Sequence, residues 1–303
     1  SVAVSARAPA PTGYRTPHLP RRMRGHWLPC ALLLGSGCAP LRALQFRDDE
    51  EEGHKARALD LRPGRIKGYV VNLERRKDRR ESVAATLRKN WPSLDYEFFA
   101  AKEMDPGRMG CRISHYNALQ DYADKLDGEY KGKYDAVIIM EDDVNFTGPV
   151  EPKLQKGRFP PEWDMLFVSY RPKRMVRIAN NTNWYRAKDG WSMLSYIVSN
   201  DFLPHYLTSL NNALKTTKRT GKWGHTVGFE HISGLGREKA EAFMRRHKVC
   251  VPRVLWATLT EDPDIGESDL MQQKSVRSNS EIEHRVHWTV ELPDVKIEKP
   301  LSP

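Results

Sequence analysis

The sequence predicts an α/β fold with a mostly parallel central sheet flanked by helices. Two short, continuous apolar runs, GYVVNL at Gly68 to Leu73 and AVIIM at Ala136 to Met140, are typical of strands buried on both faces of such a sheet. The segments between these runs place apolar residues at helical spacing. The chain has 303 residues, of which 39% are hydrophobic, so it can bury a sizeable core. We predict one domain over residues 65–290, with tails at 1–64 and 291–303.

The first predicted strand leads into a basic segment and then into a helix. Glu74 to Arg80 (ERRKDRR) carries five cationic side chains. Val83 and Leu87 recur four residues apart, which predicts a helix over Arg79 to Asn90, and a Trp-Pro pair ends it. A helix N-terminus offers unpaired N–H groups, so this junction is a candidate anion site. The alternative is a solvated, Arg-rich helix face.

A second strand and a second helix follow. Tyr96 to Ala100 is predicted to be a strand, and Met109 to Leu126 a helix whose first turns carry Ser114 and His115. Adjacent side chains on a helix do not face each other, so Ser114 and His115 do not form a catalytic couple. A single histidine at a helix start more often has a structural hydrogen bond than a catalytic role.

Three carboxylates, Glu141, Asp142 and Asp143, directly follow the second apolar run. Unpaired charge is costly to bury, so these acids must lie where the strand leaves the core, and ligands of open α/β sheets bind at that edge. If the strand geometry persists, Glu141 and Asp143 face one way and Asp142 the other. Converging carboxylates repel each other unless a cation lies between them, and oxygen ligands favour Mg²⁺ or Mn²⁺. The alternative is a solvated acidic turn.

The second half of the domain also contains apolar runs typical of strands and segments with helix signals. Apolar runs indicate further strands, and Asp201 is of a residue type that caps helix N-termini. The predicted strands are Trp163 to Tyr170, Leu194 to Val198 and Val249 to Leu259, and the predicted helices run from Asp201 to Leu214 and from Arg237 to His247.

The first 64 residues differ in composition from the rest. Residues 1–20 are rich in Pro, Ala, Ser and Arg without an apolar period, which predicts disorder. Basic residues from Arg21 to Arg24 and the short apolar segment Trp27 to Ala39 have the pattern of a secretory signal peptide. An Arg-rich organellar transit peptide is the alternative. The apolar segment is too short to span a bilayer, so we predict no transmembrane span.

The signal-peptide pattern predicts a location in the lumen of the secretory pathway, in the endoplasmic reticulum or Golgi. Two sequons, Asn145-Phe146-Thr147 and Asn180-Asn181-Thr182, agree with that route but are common by chance. The four cysteines form no CxxC pair, which argues against a zinc site and a disulfide framework. The net charge of +10 fits an anionic partner such as a nucleotide, a phosphosugar or a nucleic acid.

Three segments occur in an order that resembles one known family. They are VVNLERRKDRR at Val70 to Arg80, PGRMGCRISHYNAL at Pro106 to Leu119 and VIIMEDDV at Val137 to Val144. Together they resemble glycosyltransferase family 25, the family of lipo-oligosaccharide and collagen galactosyltransferases. GWSMLSYIVS at Gly190 to Ser199 and GESDL at Gly266 to Leu270 resemble two later elements of that family. The first three motifs are specific only in combination.

The resemblance covers about Ile66 to Gln273 and implies a GT-A type fold, which binds a sugar nucleotide at the carboxyl ends of its strands. It implies that the three acids form the metal motif. Asp143 would be a direct Mn²⁺ (or Mg²⁺) ligand, Glu141 a direct or water-mediated one, and Asp142 would face the sugar or ribose. The other donor-binding positions would be Asn72 and Leu73 by the base, Arg75 and Arg79 near the phosphates, and Ser114 and His115 in the pocket wall.

The resemblance further implies transfer of a hexose, with galactose favoured, from a UDP-sugar to a hydroxyl of a glycan or protein acceptor, with inversion. The cation would neutralise charge on the departing UDP, and a carboxylate would act as general base. The family has an Asp where this chain reads VGFEH, so Glu230 is the nearest candidate base and Asp189 the second. Arg108 stands where the family often has Glu.

Two rival functions follow from the same residues. A catalytically weak homologue would bind a nucleotide sugar or a partner without transferring the sugar. A nucleic-acid binder would agree with the net charge of +10, but the chain lacks basic clusters interleaved with aromatic residues and any recognisable module. We therefore predict no nucleic-acid partner.

Overall fold

A computed structural model describes residues 61–104, 107–154, 159–220, 237–260 and 296–298. All of these belong to the unit of residues 52–303. Several sequence predictions lie outside the described residues. They are those for residues 1–60, the candidate base Glu230, the motif at Gly266 to Leu270, the C-terminal tail apart from residues 296–298, and the side chain of Arg108.

Strands and helices alternate up to Glu141, as the sequence patterns predict, and several strands then follow one another without an α-helix between them. The strands are β1 (Ile66–Asn72), β2 (Asp95–Ala100), β3 (Ala136–Glu141), β4 (Val144–Phe146), β5 (Met165–Arg177), β6 (Trp184–Ser199), β7 (Val249–Pro252), β8 (Ala257–Leu259) and β9 (Lys296–Glu298). The helices are α1 (Lys77–Asn90), α2 (Gly107–Leu126), α3 (Leu203–Thr220) and α4 (Arg237–Arg246), and a 3₁₀ turn occupies Glu151–Leu154.

A seven-stranded sheet with the order β2-β1-β3-β6-β7-β5-β9 forms the centre of the fold. The pairs β1–β2, β1–β3, β5–β7 and β5–β9 are parallel, whereas β6 is antiparallel to β3, β5 and β7. Strand β6 therefore runs against the direction that the other strands share. The predicted α/β fold with a mostly parallel sheet is confirmed. Strands β4 and β8 form a separate antiparallel pair.

The sheet divides the core into two hydrophobic clusters, because successive side chains of a strand point to opposite faces. Tyr69 and Ile139 belong to one cluster, and Val70 and Ile138 to the other. Helices α2, α3 and α4 contribute to the first cluster, and α1 contributes Val83 and Leu87 to the second. All seven positions of β1 are buried, whereas β2 at the sheet edge is partly exposed. The two apolar runs therefore predicted β1 and β3, which are buried on both faces.

Three elements differ from the sequence prediction. Strands β5 and β6 extend far beyond the apolar runs that predicted them and pair with each other as far as Arg177 and Tyr185. These extensions are largely polar, so an apolar pattern does not reveal them. The run from Val249 to Leu259 is two strands in different sheets, because the chain leaves the main sheet at Pro252, which has no N–H to donate. Helix α3 continues to Thr220.

The parallel register of β1 and β3 brings two strand ends to one edge of the sheet. Val71 pairs with Glu141, so Asn72 and the acidic residues emerge side by side. Helix α1 starts shortly after β1, and α2 starts after the loop that follows β2. The starts of both helices therefore lie near the carboxyl ends of the strands. Among the described helices, none is long and apolar enough to cross a membrane.

Candidate active site

A cleft of about 110 Å³ opens at the carboxyl ends of β1 and β3. Its wall combines residues from both strand ends, the loop after β2 and the start of α2, and it carries basic and acidic side chains together. The lining residues are Val71, Leu73, Arg75, Arg79, Ala101, Lys102, Glu103, Met104, Gly107, Cys111, His115, Glu141, Asp142 and Asp143. Ligands of α/β sheets bind at this edge, so the cleft is the candidate active site.

The acidic residues line the cleft, but they do not continue the strand. Strand β3 ends at Glu141, and Asp142 and Asp143 form a turn before β4. The backbone N–H of Thr260 donates to the carbonyl oxygen of Asp143 at 2.9 Å and holds this turn against the end of β8. The expected alternation therefore does not hold, because it required the strand geometry to persist. Asp142 and Asp143 instead contact the same partner.

That shared partner is Arg79, in the first turns of α1. Its Nη1 donates to Oδ1 of Asp142 at 2.8 Å and to Oδ2 of Asp143 at 3.3 Å. The Asn72 amide donates to Oδ2 of Asp142 at 2.8 Å. The side chains of Arg79, Asp142 and Asp143 are all less than a tenth exposed. The second oxygen of Asp143, Oδ1, is buried and has no hydrogen-bond partner among the described residues. One carboxylate oxygen beside the cleft is thus left for a ligand.

Burial sets the electrostatic state of the two aspartates. It raises the pKa of Asp143, and the neighbouring Glu141 carboxylate adds to the rise, while Arg79 opposes it. Burial also raises the pKa of Asp142 despite the contacts with Arg79 and Asn72. The guanidinium therefore compensates only part of the cost of burying two carboxylates. A divalent cation in the cleft would stabilise their ionised forms.

Glu141 faces a different pair of side chains, both from the start of α2. Its Oε1 lies 3.6 Å from Nε2 of His115 and 4.0 Å from Sγ of Cys111. One ligand atom from each of the three residues lies within 4.8 Å of the others. Burial, with the Glu141 and Asp143 carboxylates, raises the pKa of the Cys111 thiol. Cysteine, histidine and glutamate thus meet beside the acidic turn.

The position of His115 is determined by β6. Its Nδ1 lies 3.1 Å from the Tyr196 hydroxyl, and the two rings stack with centroids 5.8 Å apart. His115 is completely buried, and its Nε2 has no hydrogen-bond partner in the part of the chain that the structure describes. The tyrosine contact therefore fixes the ring so that Nε2 faces Glu141.

The start of α2 is held against the loop after β2. The Ser114 hydroxyl accepts from the Lys102 N–H at 2.7 Å and donates to the Gly110 carbonyl at 2.6 Å. A Cβ added at Gly110 would come within 2.1 Å of the Lys102 carbonyl oxygen, so only glycine permits this approach. Ser114 is buried behind the wall of the cleft rather than in it. Its visible contacts are those that anchor the helix.

Of the remaining predicted residues, two line the cleft and two lie outside its wall. Leu73 and Arg75 line the cleft, and Arg75 pairs with Glu103 at 3.0 Å on the exposed side. Asn72 lies behind Asp142 and is not part of the wall. Asp189 is buried on β6 opposite Arg174 and is also absent from the wall. Among the predicted site residues that the structure describes, Asn72, Ser114 and Asp189 do not line the cleft. Those that do are Leu73, Arg75, Arg79, His115, Glu141, Asp142 and Asp143.

Sequence reasoning missed two contributions to the site. The loop residues Lys102 and Glu103 supply charge to the wall, and no motif marked them. Cys111 was noted only as part of a motif, although it faces Glu141 together with His115. The spacing of Cys111 and His115 is i and i+4, which places both on one helix face. That spacing was the available signal, but it does not identify Glu141 as the third member.

Comparisons with known proteins give a partial match. No family model matches the chain. It is 22% identical over 167 residues to procollagen galactosyltransferase 2 of Homo sapiens, a match that covers 43% of this chain and 25% of the human protein. The matched part of the chain thus spans about a quarter of the length of that curated relative. The match agrees with glycosyl transfer in general.

Two solved glycosyltransferase structures align over most of the chain at low similarity. One is a glycosyltransferase involved in the glycosylation of the major capsid of PBCV-1, with 9% identity, a TM-score of 0.35, and coverage of 62% of this chain and 92% of that one. The other is the apo-form glycosyltransferase GlyE of Streptococcus pneumoniae TIGR4, with 9% identity, a TM-score of 0.33, and coverage of 60% and 44%. Both scores are too low to carry weight in assigning a function.

Proposed function

We propose that this chain is a glycosyltransferase of the GT-A type, similar to family 25, that uses a divalent metal ion. It would transfer a hexose, with galactose favoured, from a UDP-sugar to a hydroxyl group of a glycan or protein acceptor, with inversion. The proposal is supported by the order of the three sequence motifs and by the similarity to a human procollagen galactosyltransferase. The observation that carries it is the acidic turn, which opens into a cleft at the carboxyl ends of parallel strands.

The cleft is large enough for only one part of a UDP-sugar. Its volume of about 110 Å³ is well below the roughly 300–1,000 Å³ of typical ligand pockets. We therefore propose that the cleft takes the diphosphate end, while the base and the sugar extend beyond its wall. Arg75 and Lys102 supply positive charge to the cleft wall, and the acidic turn supplies carboxylates. A diphosphate with a bridging cation would pair with both.

The residues at the acidic turn fit a metal of the Mn²⁺ or Mg²⁺ type. Glu141 and Asp143 offer carboxylate oxygens, and Oδ1 of Asp143 has no partner among the described residues. Hard divalent ions prefer such oxygen ligands and complete their shells with water and phosphate. When bound, the ion would neutralise the charge that develops on the departing diphosphate. Asp142 would stay with Arg79 and Asn72 and support the turn.

In the proposed reaction an acceptor hydroxyl oxygen forms a bond to the anomeric carbon of the sugar. The bond from that carbon to the β-phosphate oxygen breaks, and its electron pair leaves with UDP. The hydroxyl proton passes to a carboxylate base. Glu230 and Asp189 are the proposed bases, of which Asp189 is buried on β6 away from the cleft wall and Glu230 lies outside the described residues.

The test is release of UDP from a panel of UDP-sugars, with and without Mn²⁺. We expect metal-dependent turnover that Asp143→Ala abolishes. Asp124→Ala is the matched control, because Asp124 lies on the exposed face of α2. Turnover that survives in Asp143→Ala would remove the metal assignment. Glu230→Gln is expected to lower the rate and leave UDP affinity unchanged, and a loss of affinity would indicate a donor-binding role instead.

The second candidate is a weak homologue that binds a nucleotide sugar without transferring it. Arg79 favours this candidate, because it occupies one oxygen each of Asp142 and Asp143. Calorimetric titration with UDP and Mn²⁺ separates the two functions. Tight binding with no UDP release over the whole panel would support the weak homologue.

We also propose that the protein works in the lumen of the secretory pathway. The first sequon asparagine, Asn145, is half-buried on β4, whereas Asn180 is exposed in a turn with a positive φ of 58°. A glycan on Asn180 would therefore meet less obstruction. Expression in cultured cells should give a glycosidase-sensitive mobility shift that Asn180→Gln removes. Import into an organelle by a transit peptide would leave no such shift.

A further inference from the structure

The start of α2 and the end of β3 place three chemically different metal-ligand atoms together. One ligand atom from each of Cys111, His115 and Glu141 lies within 4.8 Å of the others, and Oε1 of Glu141 is the atom that approaches both Nε2 of His115 and Sγ of Cys111. Cys111 and His115 lie one helical turn apart on the same face of α2. Oxygen-binding ions such as Mg²⁺ have no preference for thiolate or imidazole, whereas Zn²⁺ binds both.

His115 gives independent evidence for a ligand. It is completely buried, and its Nε2 has no hydrogen-bond partner among the described residues. Leaving a buried polar atom unsatisfied is costly, so such atoms usually indicate an absent partner. The other ring nitrogen is 3.1 Å from the Tyr196 hydroxyl. A metal-binding histidine usually has such a hydrogen bond on its second nitrogen, because it fixes the ring orientation and the tautomer.

The histidine–glutamate distance fits tetrahedral coordination, whereas the cysteine sulfur has to move closer. With Zn–S near about 2.3 Å and Zn–N or Zn–O near about 2.0–2.1 Å, tetrahedral ligand atoms lie roughly 3.3–3.6 Å apart. Glu141 Oε1 is 3.6 Å from His115 Nε2 and 4.0 Å from Cys111 Sγ. Binding therefore requires Sγ of Cys111 to approach the other two ligand atoms, and the Cys111 side chain is only partly buried.

We propose that Cys111, His115 and Glu141 form a binding site for a zinc-type divalent ion, with the fourth position open to the cleft. This set is distinct from the oxygen-only set of Glu141 and Asp143, although the two share Glu141. The proposal does not depend on the proposed function, because binding of the ion requires neither donor nor acceptor. The absence of a CxxC pair argued against zinc, but that argument considers cysteine pairs and not a mixed ligand set.

The test is titration of the full chain with Co²⁺, which replaces zinc and reports a bound thiolate through charge-transfer absorption in the near ultraviolet. We expect the band in the wild-type protein and its loss in Cys111→Ser. Cys250→Ser is the matched control, since Cys250 is buried in β7 outside the cleft. Asp143→Asn should keep the band, which separates this site from the oxygen-only set. Absence of the band in the wild type, or its persistence in Cys111→Ser, would overturn the proposal.

A second measurement covers the case in which Cys111→Ser does not fold. X-ray absorption of the wild-type protein with one equivalent of Zn²⁺ should show one sulfur and at least one imidazole around the ion. A shell of oxygen and nitrogen alone would reject the site. A shell with several sulfur atoms would reject it as well, because the described cleft offers one cysteine. UDP release from the same protein is scored separately, so failure of the transferase proposal leaves this result interpretable.

Discussion

Arg79 is the residue on which the state of the acidic turn depends. It is buried, and it pairs with both Asp142 and Asp143. A buried ion pair contributes little net stability, but removal of one partner leaves an uncompensated buried charge. Arg79 therefore prevents two carboxylates from facing each other without a cation. The same contact competes with any metal ion that binds these oxygens.

The first prediction concerns Arg79→Met. In metal-free buffer we expect a loss of about 3–5 kcal/mol in the free energy of unfolding, because two buried carboxylates lose their partner. Added Mn²⁺ should restore part of that stability if the carboxylates bind it. Urea unfolding with and without Mn²⁺ measures both effects.

Arg80→Met is the control for this prediction. Arg80 is exposed, and its guanidinium lies 4.2 Å from the Phe98 ring centroid. Exposed cation–π contacts are worth about 0.5–1 kcal/mol. Equal stability losses in the two variants would show that the buried network around Arg79 has no special role.

At the scale of elements, the close contact between α2 and the loop after β2 positions His115 and Cys111. Gly110 permits this contact, and the Ser114 hydroxyl bridges the two segments. The backbone of Lys102 is therefore part of the support of the site, although its sequence position gives no hint of it. A shift of α2 would move both helix residues relative to Glu141.

The second prediction follows from that contact. Gly110→Ala should lower the free energy of unfolding by about 1–3 kcal/mol, because the new methyl group would meet a backbone carbonyl oxygen at 2.1 Å. Gly128→Ala is the matched control, since a Cβ there meets nothing within 4 Å. The comparison is made by thermal unfolding of the two variants. Equal melting temperatures would contradict the tight approach.

A third prediction concerns Asp95, which connects β2 with β1 and with the segment before β3. Burial would raise the pKa of Asp95, but hydrogen bonds from Tyr134 and Lys67 outweigh burial and hold it at about 2. Lys67 lies 2.9 Å from this carboxylate. Because the folded-state pKa is below the ordinary value of 3.8, the stabilisation is present above 3.8 and is lost as the pH falls toward about 2.

We therefore expect the wild type to lose stability more steeply than Asp95→Asn across that acidic interval. The measurement is the urea midpoint of both proteins at several pH values between the two pKa values. Parallel curves for the two proteins would show that Asp95 does not contribute to acid unfolding. The variant itself should be less stable at neutral pH, where the carboxylate is ionised in both states.

At the scale of the whole molecule, the cleft lies at one edge of the main sheet, and two clusters of apolar side chains pack against the two faces of that sheet. Helix α1 covers one face through Val83 and Leu87, and it also carries Arg79. Packing on that face is therefore coupled to the geometry of the acidic turn. A cavity under α1 should affect both stability and the site.

The fourth prediction concerns the packing of α1 and uses Leu87→Ala. Leu87 is completely buried, so we expect a loss of about 2–5 kcal/mol in the free energy of unfolding. Val254→Ala is the control, because 49% of that residue is exposed. Chemical denaturation measures the difference between the variants. Similar losses in both would show that α1 adds little to the core.

Much of the fold and part of the site could be predicted from local patterns. Strands β1 and β3 are covered on both faces, so their composition alone distinguishes them. The polar parts of β5 and β6 escaped prediction, because their stability comes from pairing with each other. The sequence did not predict Lys102 and Glu103 as site residues, because loop residues have no periodic pattern.

The sequence by itself determined the buried strands, the helices beside them and the acid cluster at a strand end, because these depend on the spacing of neighbouring residues. Only the tertiary structure decided which side chains meet. Arg79 reaches Asp142 and Asp143 across about 63 residues of chain, and His115 reaches Glu141 across helix and sheet. Contacts of that kind are set by strand register and by helix packing, which no local pattern contains.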